Sequence, residues 1–326
     1  MRRFSVLLCA ILAASSAQAA AAPAASAAPS AKAPVADHHQ YVYSPAAAAF
    51  MSSATASPRP VSAQDLIPQL DAAGIERAVV LSVATVYGRP VRQQDEEYER
   101  VRAENDWAAR QAGEYPGRLV ALCSVDPLKD YALAELARCA ASPEFGRGIK
   151  LHPAAGVRLD DPAQMARVQR VFRSANARGM AIVLQLRGTS AEGARLLIDQ
   201  LLPFAPDVPV QVAYAQAPSA GARAGEGATP LAALAVLAEA AARQDPRMRQ
   251  VWLDASSFAR PGLSPADARR VVRRLRQVGM ERVLYGSETA VGLEVPPRDA
   301  WAAFRSLPLT DAEAARVANN VMPYLR

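Results

Sequence analysis

The feature that most constrains this chain is an alternation sustained from residue 36 almost to its end. Short β-branched or apolar runs (ADHHQYVY, RAVVLSVA, RLVALCSV, GIKLH, AIVLQL, VPVQVAY, QVWLDAS and RVLYGS) alternate with longer segments of helical spacing. Those segments include Gln64–Ala73, Asp95–Ala112, Pro162–Ala177, Ala191–Leu202, Leu231–Ala242 and Pro265–Val278. Asp161-Pro162 and Ser264-Pro265 each set a capping side chain before a proline suited to the first helical turn. Gly74, Gly179 and Gly279 stand where helices would end. Eight strands each followed by a helical stretch predict an α/β fold, a single-domain (β/α)8 TIM barrel. The competing open doubly wound sheet carries fewer strands and a glycine-rich phosphate turn. Neither G-x-G-x-x-G nor G-x-x-x-x-G-K-[ST] occurs here.

The first residues carry a compartment signal. Met1-Arg2-Arg3 is basic, Phe4 to Ala14 is apolar, and Ala17-Gln18-Ala19 fits a small-x-small cleavage site. Residues 1–19 are therefore expected to be a signal peptide, cleaved near Ala19, with a secreted or periplasmic product. Residues 20–35, rich in Ala, Pro and Ser without apolar periodicity, are expected to be a disordered linker. Residues 36–326 form the barrel. The apolar stretch is too short to span a bilayer, which takes about 20 residues, and no other segment approaches that length. The net charge of +6 comes from Lys and Arg spread along helical patterns such as ARRVVRRLRQ beside acidic residues, so no nucleic-acid surface is expected. Cys123 and Cys139, which remain after cleavage, could be buried thiols or a disulfide.

Barrel enzymes place their chemistry at the C-terminal ends of the strands. Those ends offer Asp37, His39 and Tyr41 from strand 1, and Lys150 and His152 from strand 4. They also offer Gln185 and Arg187 from strand 5, Tyr214 from strand 6, Asp254 from strand 7 and Glu288 from strand 8. On a regular first strand Asp37, His39 and Tyr41 share one face, and His38 and Gln40 share the other.

In this order the stretches ADHHQYVYSP, LIPQLDAAGIERAVVLS, EYPGRLVALCSVDP, GIKLHP, ANARGMAIVLQLR, PDVPVQVAY and ERVLYGSE resemble the amidohydrolase-related family, which includes small-molecule hydrolases and aromatic-acid decarboxylases. The resemblance implies a divalent metal at the barrel mouth. Its ligands would be an H-x-H or E-x-H pair on strand 1, a histidine ending each of strands 5 and 6, and the aspartate of a G-S-D motif on strand 8. At those positions this chain has His39 with Tyr41, then Gln185, Tyr214 and, in Gly286-Ser287-Glu288, a glutamate. The family also implies a possible homo-oligomer.

Only three histidines exist, His38, His39 and His152, so the chain cannot supply the imidazoles of such a site. The expectation is a metal-free mouth, without a cofactor, in which two phenols and a carboxamide replace imidazoles and cation. Lys150, Arg187 and His152 would form a cationic rim for a small carboxylate-bearing ligand. Glu288, His39 and Lys150 are the candidate catalytic groups, and Asp37, Tyr41, His152, Gln185, Arg187, Tyr214 and Asp254 the candidate ligand contacts. Hydrolysis in this reading is weak or absent. The alternative is an active metal-dependent hydrolase or decarboxylase, with zinc or manganese on His39, His152 and Glu288. The Gly/Ala-rich stretch Ala215–Pro230 is expected to lie over the mouth.

Overall fold

The structure, a computed structural model, describes residues 32–53, 57–89, 96–153, 158–187, 190–215, 230–257, 263–288 and 295–325. The proposed signal peptide, most of the linker and most of the Ala215–Pro230 stretch lie outside these residues.

The alternation becomes β1 (Ala36–Val42), α1 (Pro45–Met51), α2 (Ala63–Ala73), β2 (Arg77–Ser82), α3 (Glu97–Gly113), β3 (Leu119–Val125), α4 (Ala132–Ala141) and β4 (Gly148–Leu151). It continues as α5 (Pro162–Ala177), β5 (Ala181–Arg187), α6 (Ala191–Leu196), β6 (Val210–Ala215), α7 (Pro230–Ala242), β7 (Val251–Asp254), α8 (Pro265–Val278), β8 (Val283–Leu284), α9 (Pro297–Arg305) and α10 (Asp311–Asn319). Helix starts follow capping chemistry. Ser44, Asp161 and Ser264 accept hydrogen bonds from first-turn amides ahead of Pro45, Pro162 and Pro265. Gly74 ends α2 in the left-handed region, at φ 69°, where a side chain would be strained.

The strands lie in sequence order, β1 to β8, and each successive pair is parallel. Backbone bonds from His38 N to Tyr285 O (2.9 Å) and from Glu288 N to His39 O (3.0 Å) join β1 to the chain leaving β8. The fold is a (β/α)8 TIM barrel. Val79, Leu81, Leu122, Val183 and Leu284 line its interior. Val80, Cys123, Ile149, Ile182, Val212 and Leu253 point outward into a second layer with Leu136, Phe172, Leu237 and Leu275 of the helices.

Three local features differ from the regular picture. The β1–β2 register shifts between Asp37 and Gln40, an irregularity that breaks the alternation along β1. Val35, expected in the linker, is fastened to the barrel: its N–H donates to Ala318 O at 2.8 Å and its carbonyl accepts from Arg77 N at 3.3 Å. Cys123 and Cys139 form a disulfide between β3 and α4, with Cα atoms 6.3 Å apart. No helix among the described residues is long and apolar enough to cross a membrane.

Candidate active site at the barrel mouth

Alternation along the strands chooses which polar side chains enter the barrel. Lys150 lies between Ile149 and Leu151, and Gln211 between Val210 and Val212, and all four flanking residues belong to the outer layer. Both polar residues therefore point inward, as do Gln185 on β5 and Asp254 on β7.

The centre of this set is a buried pair. His39 Nδ1 is 2.6 Å from Asp254 Oδ2, and both residues are 0 % exposed. Burial alone would push the Asp254 carboxyl up and the His39 imidazole down. The charge and hydrogen bond that each gives the other reverse both effects. Asp254 is held below the usual carboxylate range and His39 above the usual imidazole range.

From this pair a polar chain runs outward. His39 Nε2 lies 2.7 Å from the Tyr41 hydroxyl, which donates to Gln185 Oε1 at 3.1 Å. Gln185 Nε2 then donates to Glu288 Oε1 at 3.1 Å. Lys150 Nζ donates to the Tyr41 oxygen at 3.1 Å and stands 4.3 Å from the centre of its ring. The proton count is consistent. A doubly protonated His39 donates to Asp254 and to Tyr41, which leaves the phenol proton for Gln185 and the amide protons for Glu288.

A second set of contacts supports the pair from below. Gln211 Nε2 donates to Asp254 Oδ2 at 2.9 Å and to His38 O at 3.2 Å, while Gln211 Oε1 accepts from the Tyr324 hydroxyl. Ser256 N donates to Asp254 Oδ1 at 2.9 Å. Gly286 lets the chain leaving β8 approach, since a Cβ there would come within 2.6 Å of Asp254 Oδ1 and 2.8 Å of His39 Cβ. His38 takes no part in the pair. Its Nδ1–H donates to Tyr285 O at 3.0 Å and its Nε2 accepts from Met322 N–H at 3.3 Å, and burial pushes its pKa down to about 4.

The sequence-derived residues divide as follows. His39, Tyr41, Lys150, Gln185, Asp254 and Glu288 converge. Asp37 does not share the His39–Tyr41 environment. The shift in β1 turns its carboxylate to Gln40 Nε2 (2.8 Å), His39 N (3.0 Å) and Ser287 N (3.1 Å), so Asp37 and Gln40 meet instead of lying on opposite faces. Burial, opposed by these bonds, pushes the Asp37 carboxyl up. Lys150 is not on a rim, being 3 % exposed, and among the described residues Asp254 is paired with His39 and not with lysine or arginine. Half-buried His152 directs Nδ1 to Gln185 O at 3.2 Å. The side chains of Arg187 and Tyr214 lie outside the described residues. The pairing of Gln185 with Ala213 places Tyr214 opposite Leu186. Glu288 sits at φ 46°, a left-handed backbone that costs a glutamate about 1–3 kcal/mol and is concentrated at functional sites.

Sequence reasoning missed Gln211 and Tyr324. A single polar residue inside the apolar run VPVQVAY was the available signal for Gln211. Nothing local marks Tyr324, 113 positions further on.

These donors do not fit the divalent metal that the family resemblance implies. Both nitrogens of His39 are engaged, at 2.6 and 2.7 Å, and offer no lone pair directed into the mouth. Among the described residues the one group of three or more metal-ligating side chains lies elsewhere, at Cys123, Glu135 and Cys139, where the two sulfurs are already bonded to each other. His39, His152 and Glu288 do not gather as such a group.

Solved structures share the architecture. A 2,6-dihydroxybenzoate decarboxylase from Rhizobium matches with a TM-score of 0.61 at 15 % identity, over 88 % of this chain and 97 % of that one. A 2,6-dihydroxybenzoate decarboxylase complexed with 2,6-dihydroxybenzoate gives 0.56 at 14 %, over 88 % and 96 %. A dihydroxybenzoic acid decarboxylase from Polaromonas sp., with bound manganese and the inhibitor 2-nitroresorcinol, gives 0.58 at 15 %, over 88 % and 95 %. At these identities the likeness is one of fold. No curated protein matches. The family profile described as Amidohydrolase matches residues 35–320. With that span covering nearly the whole barrel, the chain belongs to the amidohydrolase family.

Proposed function

We propose that this barrel binds a small carboxylate-bearing molecule at its mouth and does so without a divalent metal. The observation that carries this reading is the closed chain Asp254–His39–Tyr41–Gln185–Glu288, in which protein groups occupy the imidazole nitrogens a metal would need. Lys150, fixed on Tyr41 at 3.1 Å, supplies positive charge inside the mouth, and His152 lies half-buried beside Gln185. A carboxylate entering there meets charge-assisted donors in a partly desolvated setting. The carboxylate complex of the dihydroxybenzoate decarboxylase supports the choice of ligand class.

In this reading any turnover is acid–base chemistry, weak in the absence of an activated water, with Glu288 as the proton-handling group at the ligand and His39 acting only through the Tyr41 hydroxyl. Tyr41, Gln185 and Asp254 orient them. The protein acts after export through the segment ending near Ala19, a reading that the Cys123–Cys139 disulfide supports.

Isothermal titration of chelator-treated protein with 2,6-dihydroxybenzoate and citrate tests the proposal. Binding that persists in excess chelator supports it. Binding that appears only on adding manganese or zinc overturns it.

A further inference from the structure

Ser124 is fully buried, and its hydroxyl has no hydrogen-bond partner among the described residues. Its neighbours Cys123 and Val125 both pack into the outer layer, and Leu122 lines the interior. Alternation along β3 therefore turns the Ser124 side chain into the barrel, one step nearer the mouth than Leu122. The strand register pairs Ser124 with Lys150 on β4, so two inward polar groups stand side by side.

The local fold does not use this hydroxyl. Ser124 is held by its backbone: its N–H donates to Asn105 Oδ1 at 2.9 Å and its carbonyl accepts from Asn105 Nδ2 at 3.2 Å. Asn105 is itself fixed by Glu135 at 2.7 Å. A buried hydroxyl without a partner is costly, and native proteins keep few of them. Alanine would avoid that cost in the same space. Ser256, past β7, also carries a buried hydroxyl without a partner among the described residues, but no strand alternation fixes its direction.

We infer that Ser124 and Lys150 together form the seat for the ligand's carboxylate, one oxygen accepting from Ser124 Oγ–H and the other from Lys150 Nζ–H. This rests on the carboxylate-binding reading above and adds the group that recognises the acid. Lys150 retains its bond to Tyr41, because an ammonium has three donors. The seat favours an anion, because the carboxylate gives the Lys150 ammonium a charged acceptor and the carboxamide of the same shape gives it only a neutral one.

The test is isothermal titration of the full chain with 2,6-dihydroxybenzoate and with 2,6-dihydroxybenzamide, on the natural protein, Ser124→Ala and Lys150→Met. The expected result is a loss of about tenfold in affinity for the acid in Ser124→Ala with the unfolding temperature unchanged, and weaker binding of the amide than of the acid to the natural protein. Unchanged acid affinity in Ser124→Ala, with loss in Lys150→Met, overturns the Ser124 seat and leaves carboxylate binding standing. Failure of the natural protein to bind the acid overturns both. If Ser124→Ala does not fold, a crystal structure of the natural protein with the acid decides. A carboxylate oxygen at Ser124 Oγ supports the seat, and a water alone at that atom overturns it.

Discussion

The Tyr41 hydroxyl lies 2.7 Å from His39 Nε2, so the phenol of one β1 residue closes off the imidazole of another two positions away. That contact places the second strand-1 position inside the polar network as a partner of the histidine.

Asp254→Asn should be severely destabilising. The substitution removes the anion paired with a fully buried His39, and breaking a buried pair by deleting one partner costs about 3–5 kcal/mol. Urea unfolding near pH 6 measures this. A loss under ~1 kcal/mol would mean that His39 is neutral in the folded protein.

Stability should depend on pH through two histidines of opposite sense. The contribution of His39, whose pKa is raised, is complete below the ordinary value of 6.5 and is lost as pH rises through its folded value. The contribution of Asp254, whose pKa is lowered, is present above 3.8 and is lost as pH falls through its folded value. His38, lowered from 6.5 to about 4, withdraws roughly 3 kcal/mol as pH falls between those values, because only the unfolded chain takes up that proton. Urea midpoints measured across this range should fall on the acid side, and His38→Asn should flatten that limb.

Glu288→Gly should separate stability from binding. Glycine adopts φ 46° without strain, so unfolding free energy should rise by about 1 kcal/mol or hold level against the lost Gln185 contact. Acid binding or turnover should fall. A clear loss of stability would show that Glu288 holds the fold and not the site.

Much of the fold was legible because strand and helix periodicities differ and repeat eight times along the chain. The convergence of His39, Gln185 and Glu288 was legible too, since strand ends of a barrel face one mouth. Three things were not. The shift in β1, which sends Asp37 to Gln40, depends on pairing with β2 and leaves no mark in ADHHQYVYSP. The burial of Lys150 over Tyr41 depends on side-chain packing across the mouth. The Cys123–Cys139 bond depended on a Cα separation that sequence spacing does not fix.

Tyr324→Phe tests the support from the C-terminal end. It leaves Gln211 Oε1 buried without its donor, which should cost about 1–3 kcal/mol and loosen the amide that holds Asp254. Unfolding and the far-downfield NMR proton of the His39 Nδ1–H bond report the two effects. An unshifted proton would show that Gln211 keeps its place without Tyr324.

Reduction of the disulfide should lower stability by about 3 kcal/mol, given a sequence separation of 16 between its cysteines. It should be slow in the folded protein, where both cysteines are buried. Unfolding with and without reductant, after reduction in denaturant, measures the difference.

The most direct measurement is metal content: elemental analysis of residues 20–326, as purified and after incubation with zinc and with manganese, beside His39→Ala. No stoichiometric metal is expected under any loading, and no difference between the two proteins. About one metal per chain in the natural protein, lost in His39→Ala, would contradict it.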